Sequence, residues 1–329
     1  MTSMQPIRWG FIGTGNIAGW MAAVIATTPL ASLAGVASRR MDSARAFAAR
    51  HGAAAATDDW CDLLARDDID AVYIATPTSL REEIGVAAAS AGKHVLGEKP
   101  FSSLSSLERI TAACREHGVA FMDATHFVHH PRFDAVLSGV AQTVGRPRTL
   151  ETRFLVSLTD RSDIRYDPAL EPLGALGDLG WYNMRATVEY LSEGASPREV
   201  AASIVRDAKT GVITAAEGRI DYADGAISRW QCSFLADAVD IGLDLGGPGG
   251  MVSMNNFIGE HEDGSADYTI HAGGEQPQGV RIDSARSGPA KMFEDFAGAA
   301  LNPERRGRWI EASEQTQALL DAVLDAAER

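Results

Sequence analysis

The chain is poor in cysteine. Cys61, Cys114 and Cys232 are odd in number and far apart among 329 residues, and no C-x-x-C pair occurs. That excludes a disulfide framework and a thiolate zinc or redox motif, and suits a protein held reduced in the cytoplasm. Basic residues are also scarce: 30 Lys and Arg face 44 Asp and Glu, giving a formal charge of −14. Nucleic-acid binding needs clustered cations to neutralise phosphates, so this balance argues against such a partner. No apolar run reaches the length of about 18 residues that reads as a membrane span. The N-terminus lacks the basic-then-apolar order of a secretory signal and enters a strand-like run almost at once. A cytoplasmic location is therefore expected, with neither nucleic acid nor membrane as partner. No internal repeat or low-complexity segment is evident.

What is present is an ordinary globular composition, 45% hydrophobic and 22% charged, in a chain long enough for two cores. The expected division is residues 1–125 and 126–329. In the first part, short apolar runs at Ile7–Ile12, Ala31–Ala37, Ala71–Ala75, His94–Leu96 and Val119–Met122 alternate with Ala-rich stretches of helical length, such as Ser43–His51 and Leu80–Ala91. Runs of this kind read as strands buried on both faces of a parallel sheet. Gly52, Gly92 and Gly118 stand where helices end. The predicted fold class is α/β, with a doubly wound N-terminal sheet whose ligands belong at the carboxyl ends of its strands. The second part changes texture. Thr149–Leu158, Val200–Arg206, Gly211–Tyr222, Ala226–Phe234 and Ala238–Leu245 read as long strands, interrupted by one helix from about Asp178 to Leu191. That predicts an α+β domain with a mostly antiparallel sheet. The glycine-rich Gly246–Gly250 lies between strands and reads as a hairpin turn rather than a phosphate loop. The tail, Pro289–Arg329, reads as helix.

The hexapeptide Gly13-Thr14-Gly15-Asn16-Ile17-Ala18 directly follows the Ile7–Ile12 run. Gly13 permits a tight turn, Gly15 permits close approach of a pyrophosphate, and Ala18 lets the helix pack on the strand. A helix opening at Asn16 aims its free N–H groups and positive dipole end at the anion. The second strand ends Val36-Ala37-Ser38-Arg39-Arg40, with no carboxylate before Asp42 to bind a ribose 2′-hydroxyl. A hydroxyl and a guanidinium there suit a 2′-phosphate, which favours NADP(H) over NAD(H). The alternative reading of Arg39 and Arg40 is two solvated loop charges.

Candidate chemistry falls in two places. Gly97-Glu98-Lys99-Pro100 puts a lysine at a strand's carboxyl end, with Pro100 restricting its backbone. An ammonium there can hold a ribose and a substrate hydroxyl, although a surface Lys-Pro turn reads the same way. Farther on, Asp178 and Tyr182 are four apart in Leu173–Asn183 and would share a helix face, with Arg185 about a turn beyond. A carboxylate and a phenol together can relay a proton to an alcohol or carbonyl. The same residues also read as a helix N-cap and a half-buried aromatic. His126, His129 and His130 cluster before Pro131, but no matched carboxylate or thiolate pair accompanies them, so no metal is expected. One of them, or Arg132, is expected to border a substrate pocket.

The glycine turn, Ala75-Thr76-Pro77, the string Ala91-Gly92-Lys93-His94-Val95-Leu96-Gly97-Glu98-Lys99-Pro100 and the Gly-x-x-x-Asp-x-Gly-x-Tyr element come in one order along the chain. Together they resemble the Gfo/Idh/MocA oxidoreductase family. The resemblance implies a Rossmann domain followed by an α/β domain with a large open-faced sheet that mediates dimers or tetramers, and a C-terminal helix returning toward the first domain. It implies hydride transfer between nicotinamide and a carbon bearing hydroxyl or carbonyl, often on a sugar or cyclic polyol. By position it marks Lys99, Asp178 and Tyr182 as catalytic, and Gly13, Thr14, Gly15, Asn16, Ile17, Ser38, Arg39, Thr76, Pro77, Glu98 and Lys99 as cofactor-binding. Many members carry histidine at the place of Tyr182. Tyrosine resembles the branch of glucose–fructose oxidoreductase, xylose dehydrogenase and dihydrodiol dehydrogenase, which tends toward NADP(H). Two departures stand out: Thr78-Ser79-Leu80-Arg81 replaces a frequent T-P-N…H pattern, and Gly97 stands where cysteine is common. In this scheme Tyr182 exchanges the proton with the substrate oxygen, Lys99 orients that oxygen and Asp178 supports the pair. Because an ordinary tyrosine titrates near about 10, a neighbouring ammonium is needed to favour its ionised form. The alternatives are a dihydrodiol or D-xylose dehydrogenase-like activity and, from another class, a non-catalytic NADP(H)-binding regulator.

Overall fold

The computed structural model describes residues 6–192 and 196–329. The chain divides into two compact units. One comprises the chain through Phe101 with Ser105–Thr125 and Pro289–Ser313; the other comprises Ser102–Leu104, His126–Gly288 and Glu314–Arg329.

The first unit is built on six parallel strands: β1 (Ile7–Ile12), β2 (Ala31–Ala37), β3 (Ala55–Thr57), β4 (Ala71–Ile74), β5 (His94–Gly97) and β6 (Phe121–Asp123). They lie in the order β3-β2-β1-β4-β5-β6, which reverses direction at β1 and so creates a crevice at the carboxyl ends of β1 and β4. The crossovers are helices α1 (Asn16–Ile25), α2 (Met41–His51), α3 (Trp60–Leu64), α4 (Arg81–Ser90) and α5 (Leu104–Glu116). β4 is buried at every position, which is why it reads as an uninterrupted apolar run. Gly52, Gly92 and Gly118 all take positive φ, as their place at helix ends requires. The three-residue β3 carries no sequence signal of its own. Trp9, fully buried on β1, packs edge-on against Phe293 with ring centroids 5.1 Å apart.

The second unit holds α6 (Pro131–Gly139), α7 (Gly174–Asp178), α8 (Gly180–Thr187) and the nine strands β7 (Thr149–Ser157), β8 (Pro197–Arg206), β9 (Ile213–Tyr222), β10 (Ile227–Ser233), β11 (Leu235–Asp240), β12 (Leu243–Gly247), β13 (Gly250–Met254), β14 (Ala266–Ala272) and β15 (Gln278–Ile282). Their order is β15-β14-β13-β12-β7-β10-β9-β8, with β11 paired to β7. Only β7 and β10 run parallel; every other pairing between these strands is antiparallel. Gly246–Gly250 is indeed a hairpin connection, between β12 and β13. The stretch Ala238–Leu245 is not one strand but parts of two. Asp240 accepts from the Gly242 N–H at 3.1 Å, turning the chain so that β11 and β12 each pair separately with β7.

Alternation sorts this sheet's faces. Leu150, Thr152 and Phe154 of β7 and Ser228, Trp230 and Cys232 of β10 are buried. Their neighbours Glu151, Arg229 and Arg219 share one register row, and Arg153, Gln231, Glu217 and Ser203 share the next. The exposed face thus carries a mixed array of charges, in which Arg229 stands directly opposite both Glu151 and Arg219. The remaining helices are α9 (Gly288–Leu301) and α10 (Arg306–Ala327). Among the described residues no helix is long and apolar enough to cross a membrane.

One half-buried group makes the first unit sensitive to acid. At the start of β5, His94 Nδ1 accepts from the Ala120 N–H at 2.9 Å, so protonation there would destroy the bond. Burial, reinforced by the charge of Arg306, lowers the His94 pKa to about 4. The unfolded chain therefore binds more protons between about pH 6.5 and about 4. This contribution is complete above the unfolded value and is lost as pH falls toward 4. The urea midpoint should drop over that window, and His94→Asn, which keeps an acceptor but cannot protonate, should show a shallower drop. Parallel pH profiles for the two proteins would contradict this.

Candidate active site

The turn after β1 forms as its glycines require. Gly13 takes φ +114°, and a Cβ there would lie 2.5 Å from the Ala75 carbonyl oxygen, so no larger residue fits. Its N–H donates to Ala37 O at 2.9 Å, tying the turn to the end of β2. Gly15 is the N-cap of α1, with open space where its Cβ would be, while Ala18 is fully buried against the sheet. Asn16 and Ile17, the first two residues of α1, are exposed, as are Arg39 and Arg40. Thr14 Oγ1 and Ser38 Oγ lie 3.0 Å apart, so the structure brings these two predicted residues together. Arg40 Nε donates to Ser43 Oγ at 3.2 Å, and α2 begins beyond it, with Asp42 in its first turn. Past β4, Thr76 Oγ1 is buried without a hydrogen-bond partner, and Pro77 precedes a single 3-10 turn (Thr78–Leu80). An open cradle at Gly15 and an unsatisfied hydroxyl at Thr76 are what a bound dinucleotide would fill, so the residues present fit the group.

Lys99 follows β5 and is half-buried, whereas Glu98 and Pro100 on either side are buried. Glu98 N donates to Ile74 O at 3.0 Å. The Glu98 carboxylate accepts from the Tyr73 phenol. Burial raises the Glu98 pKa above the usual carboxylate range, while the charges of Lys99 and Arg81 and the phenol pull the other way. The peptide bond between Lys99 and Pro100 is cis.

Asp178 and Tyr182 belong to the second unit, and they do not sit on one uninterrupted helix. α7 ends at Asp178, Leu179 intervenes, and α8 starts at Gly180, with Tyr182 N bonded to Leu179 O at 3.1 Å. Nor is Asp178 an N-cap. Its Oδ2 accepts from Arg165 Nε at 2.7 Å, and the same guanidinium reaches Asp163 at 3.2 Å. Asp178 more than any other group raises the Arg165 pKa, locking that cation in its charged form. Gly174 opens α7 at φ +49°, where a Cβ would strike the Ile213 carbonyl at 2.3 Å; that fixes the spacing of the Gly-x-x-x-Asp element. Tyr182, 8% exposed, is surrounded by rings: Phe154 at 5.5 Å, His126 at 6.1 Å and Phe127 at 6.3 Å between centroids.

Other polar residues have structural work. Arg185 is buried and bonds Glu189 at 2.8 Å one turn along. Arg132 is 5% exposed, and its guanidinium donates to the carbonyls of Asn256 at 2.9 Å and Phe257 at 2.6 Å. His130 caps α6, accepting from Arg132 N at 3.0 Å through Nδ1 and meeting Gly264 O at 2.8 Å through Nε2. Among the described residues no group of three His, Cys, Asp or Glu side chains could hold a metal ion. The parts that sequence reasoning missed are Tyr73 and Arg165, each of which acts through a partner set by tertiary structure. Arg81 stands out in the sequence only as a departure from the family pattern, near the expected cofactor or substrate contacts, and its partners are set by the fold.

Residues 7–125 match the family described as GFO/IDH/MocA oxidoreductases with an NAD-binding Rossmann fold, and residues 140–253 match the GFO/IDH/MocA C-terminal domain. The chain is 32% identical to a dTDP-3,4-didehydro-2,6-dideoxy-alpha-D-glucose 3-reductase from Actinomadura kijaniata, over 98% of this chain and 96% of that one. It is 32% identical to a D-xylose 1-dehydrogenase (NADP(+)) from Haloferax volcanii, over 69% of this chain and 70% of that one. Among solved structures, a 3-ketoreductase from Actinomadura kijaniata in complex with NADP and TDP-benzene superposes with TM-score 0.90, at 28% identity and 98% coverage of both chains.

The close approach at Gly13 yields a direct test. Gly13→Ala should weaken NADPH binding by about 10-fold or more, because both the positive φ and the contact with Ala75 oppose a Cβ. Fluorescence titration with NADPH reads this, and unchanged affinity would contradict the geometry.

Proposed function

From the premise that this chain belongs to the GFO/IDH/MocA oxidoreductase family, we propose that it is a cytoplasmic, NADP(H)-dependent enzyme acting on a sugar or cyclic polyol. It interconverts a hydroxyl and a carbonyl on that substrate. The observation that carries this reading is Lys99, half-buried between the buried Glu98 and Pro100 at the carboxyl end of β5. A lysine fixed by its neighbours there suits orientation of a reacting oxygen.

Bound nicotinamide would supply or accept the hydride. Gly13, Thr14, Gly15, Asn16 and Ile17 would hold its pyrophosphate through the open end of α1. Ser38 and Arg39 would take the 2′-phosphate, since no carboxylate precedes Asp42 to repel it. Thr76, Pro77, Glu98 and Lys99 would line the nicotinamide ribose, with the unsatisfied Thr76 hydroxyl as one donor. Tyr182 gives or takes the proton at the substrate oxygen, Lys99 orients that oxygen, and Asp178 supports the pair while Arg165 holds its carboxylate. Similarity to an NADP(+)-dependent D-xylose dehydrogenase favours a second reading, oxidation of a free aldose or a trans-dihydrodiol. The charged open face of the second sheet, with Arg219 and Arg229 beside Glu151 and Glu217, suits pairing with a second copy as a homodimer or homotetramer.

Following reduced-nicotinamide absorbance with NADP⁺ and NAD⁺ against aldoses, inositols and dihydrodiols, and with NADPH against free and dTDP-linked ketosugars, tests the reading. Turnover should favour the phosphorylated cofactor. An NAD⁺ preference would remove the role given to Arg39, and tight NADPH binding with no turnover on any substrate would favour a regulatory binder. With the best substrate, Tyr182→Phe should lose about 10²- to 10⁴-fold in kcat, the usual scale of general acid–base catalysis. Near-wild-type turnover would end the assignment of Tyr182.

A further inference from the structure

A buried arginine bonds the residue that follows Lys99. Arg81, the first residue of α4, is 6% exposed. Its guanidinium joins two segments that border the proposed cofactor site. Nε donates to Thr76 O at 3.0 Å and Nη1 to Thr78 Oγ1 at 2.9 Å, both on the chain leaving β4. Nη1 also donates to the carbonyl of Pro100, on the chain leaving β5. The planar fork of arginine can satisfy such diverging acceptors at once, which a lysine point charge does less well.

The residues around Lys99 are anchored on both sides. Upstream, Glu98 is fixed by the Tyr73 phenol and by its own N–H on Ile74 O. Downstream, Pro100 is fixed by Arg81, and Phe101 is buried with its ring 5.8 Å from Phe121. From Val95 to Phe101 only Lys99 is not buried. Its side chain therefore leaves from a backbone position set by Tyr73 on one side and Arg81 on the other. We infer that Arg81 is a positioning residue for Lys99. It holds the Pro100 carbonyl and the Thr76–Thr78 turn in one arrangement, and so fixes where the ammonium stands relative to bound cofactor. The inference rests on the reading of Lys99 as catalytic only for its effect on turnover; the placement of the lysine is a separate claim.

The experiment compares wild type, Arg81→Met, Arg81→Lys, Arg81→Ala and Lys99→Met in the full-length chain. Arg81→Met should lower kcat by about 10- to 100-fold, the scale of a misplaced catalytic group, with KM for NADP(H) within about threefold of wild type. Arg81→Lys should fall between. Added guanidinium should restore part of the activity of Arg81→Ala, which a general loss of stability would not allow. Independently of turnover, the rate at which an amine-acylating reagent labels Lys99, read by peptide mass spectrometry, should change severalfold in Arg81→Met. Lys93, held by the Arg66 and Ile69 carbonyls at 2.7 and 3.0 Å, serves as the internal control and should label as in wild type. If Lys99 labels normally and kcat is unchanged in Arg81→Met, the inference is overturned. If Arg81→Met does not fold, absence of guanidinium rescue in Arg81→Ala together with normal Lys99 labelling in Arg81→Lys overturns it. Should Lys99→Met keep wild-type turnover while Lys99 labelling still shifts in Arg81→Met, the catalytic reading of Lys99 fails and the positioning role stands.

Discussion

The first unit depends on one close backbone approach. Gly13 leaves β1 at a positive φ that brings its Cα against the Ala75 carbonyl, while its N–H holds Ala37 at the end of β2. Three strand ends are thereby gathered at the point where the sheet order reverses. Several groups proposed to meet a cofactor stand at that meeting: α1 opens there with Asn16 and Ile17 exposed, Ser38 comes within 3.0 Å of Thr14, and the Thr76 hydroxyl is buried without a partner. A side chain at position 13 would push β1 and β4 apart and dissolve the crevice.

Charges inside the molecule separate by what they touch. Arg132 spends its donors on backbone carbonyls, and Arg185 on Glu189 one helical turn away; both are sealed from solvent. Breaking the Arg185–Glu189 pair by removing one partner costs about 3–5 kcal/mol, so that arginine is bound to structure, as is Arg132 through its carbonyl partners. Arg165 differs. It keeps 41% of its side chain exposed while gripping Asp178 and Asp163, so it holds the Asp178 carboxylate without being sealed from solvent. Lys99 is likewise the one residue between Val95 and Phe101 left open. Lys99 and Arg165 are thus held firmly yet not closed off, whereas Tyr182 is buried among aromatic rings.

Much of this is legible in the sequence, for identifiable reasons. β1, β4 and β5 are buried on both faces, so their apolar runs stand out, and the glycines at positive φ mark the ends of the intervening helices. The glycine turn, Lys99, Asp178 and Tyr182 sit in local strings whose spacing is itself the signal. β15 is harder to read because it lies at the sheet edge, where Gln278–Ile282 buries no residue fully and its alternation is weak. The break at Leu179 lies between Gly177 and Gly180, both poor helix formers, but the four-residue spacing of Asp178 and Tyr182 reads as one helix. Tyr73 reads as another apolar strand residue, and only the fold shows that its hydroxyl meets a carboxylate 25 positions away. Arg165 is equally silent, since its partner is a carboxylate 13 residues on, and Arg81 shows only as a departure from the family pattern, because its carbonyl partner lies 19 residues on.

The most direct test follows a label rather than a rate. NADPH deuterated at the nicotinamide C4 position, incubated with the protein and a ketosugar, should yield product carrying deuterium on the new carbinol carbon, detected by NMR and mass spectrometry. Transfer from one face of the ring only, in a stoichiometric ratio to cofactor oxidised, is the predicted result. Oxidation of NADPH with no deuterium in the sugar, or with solvent hydrogen at that carbon, would contradict hydride transfer to a sugar carbonyl by this protein.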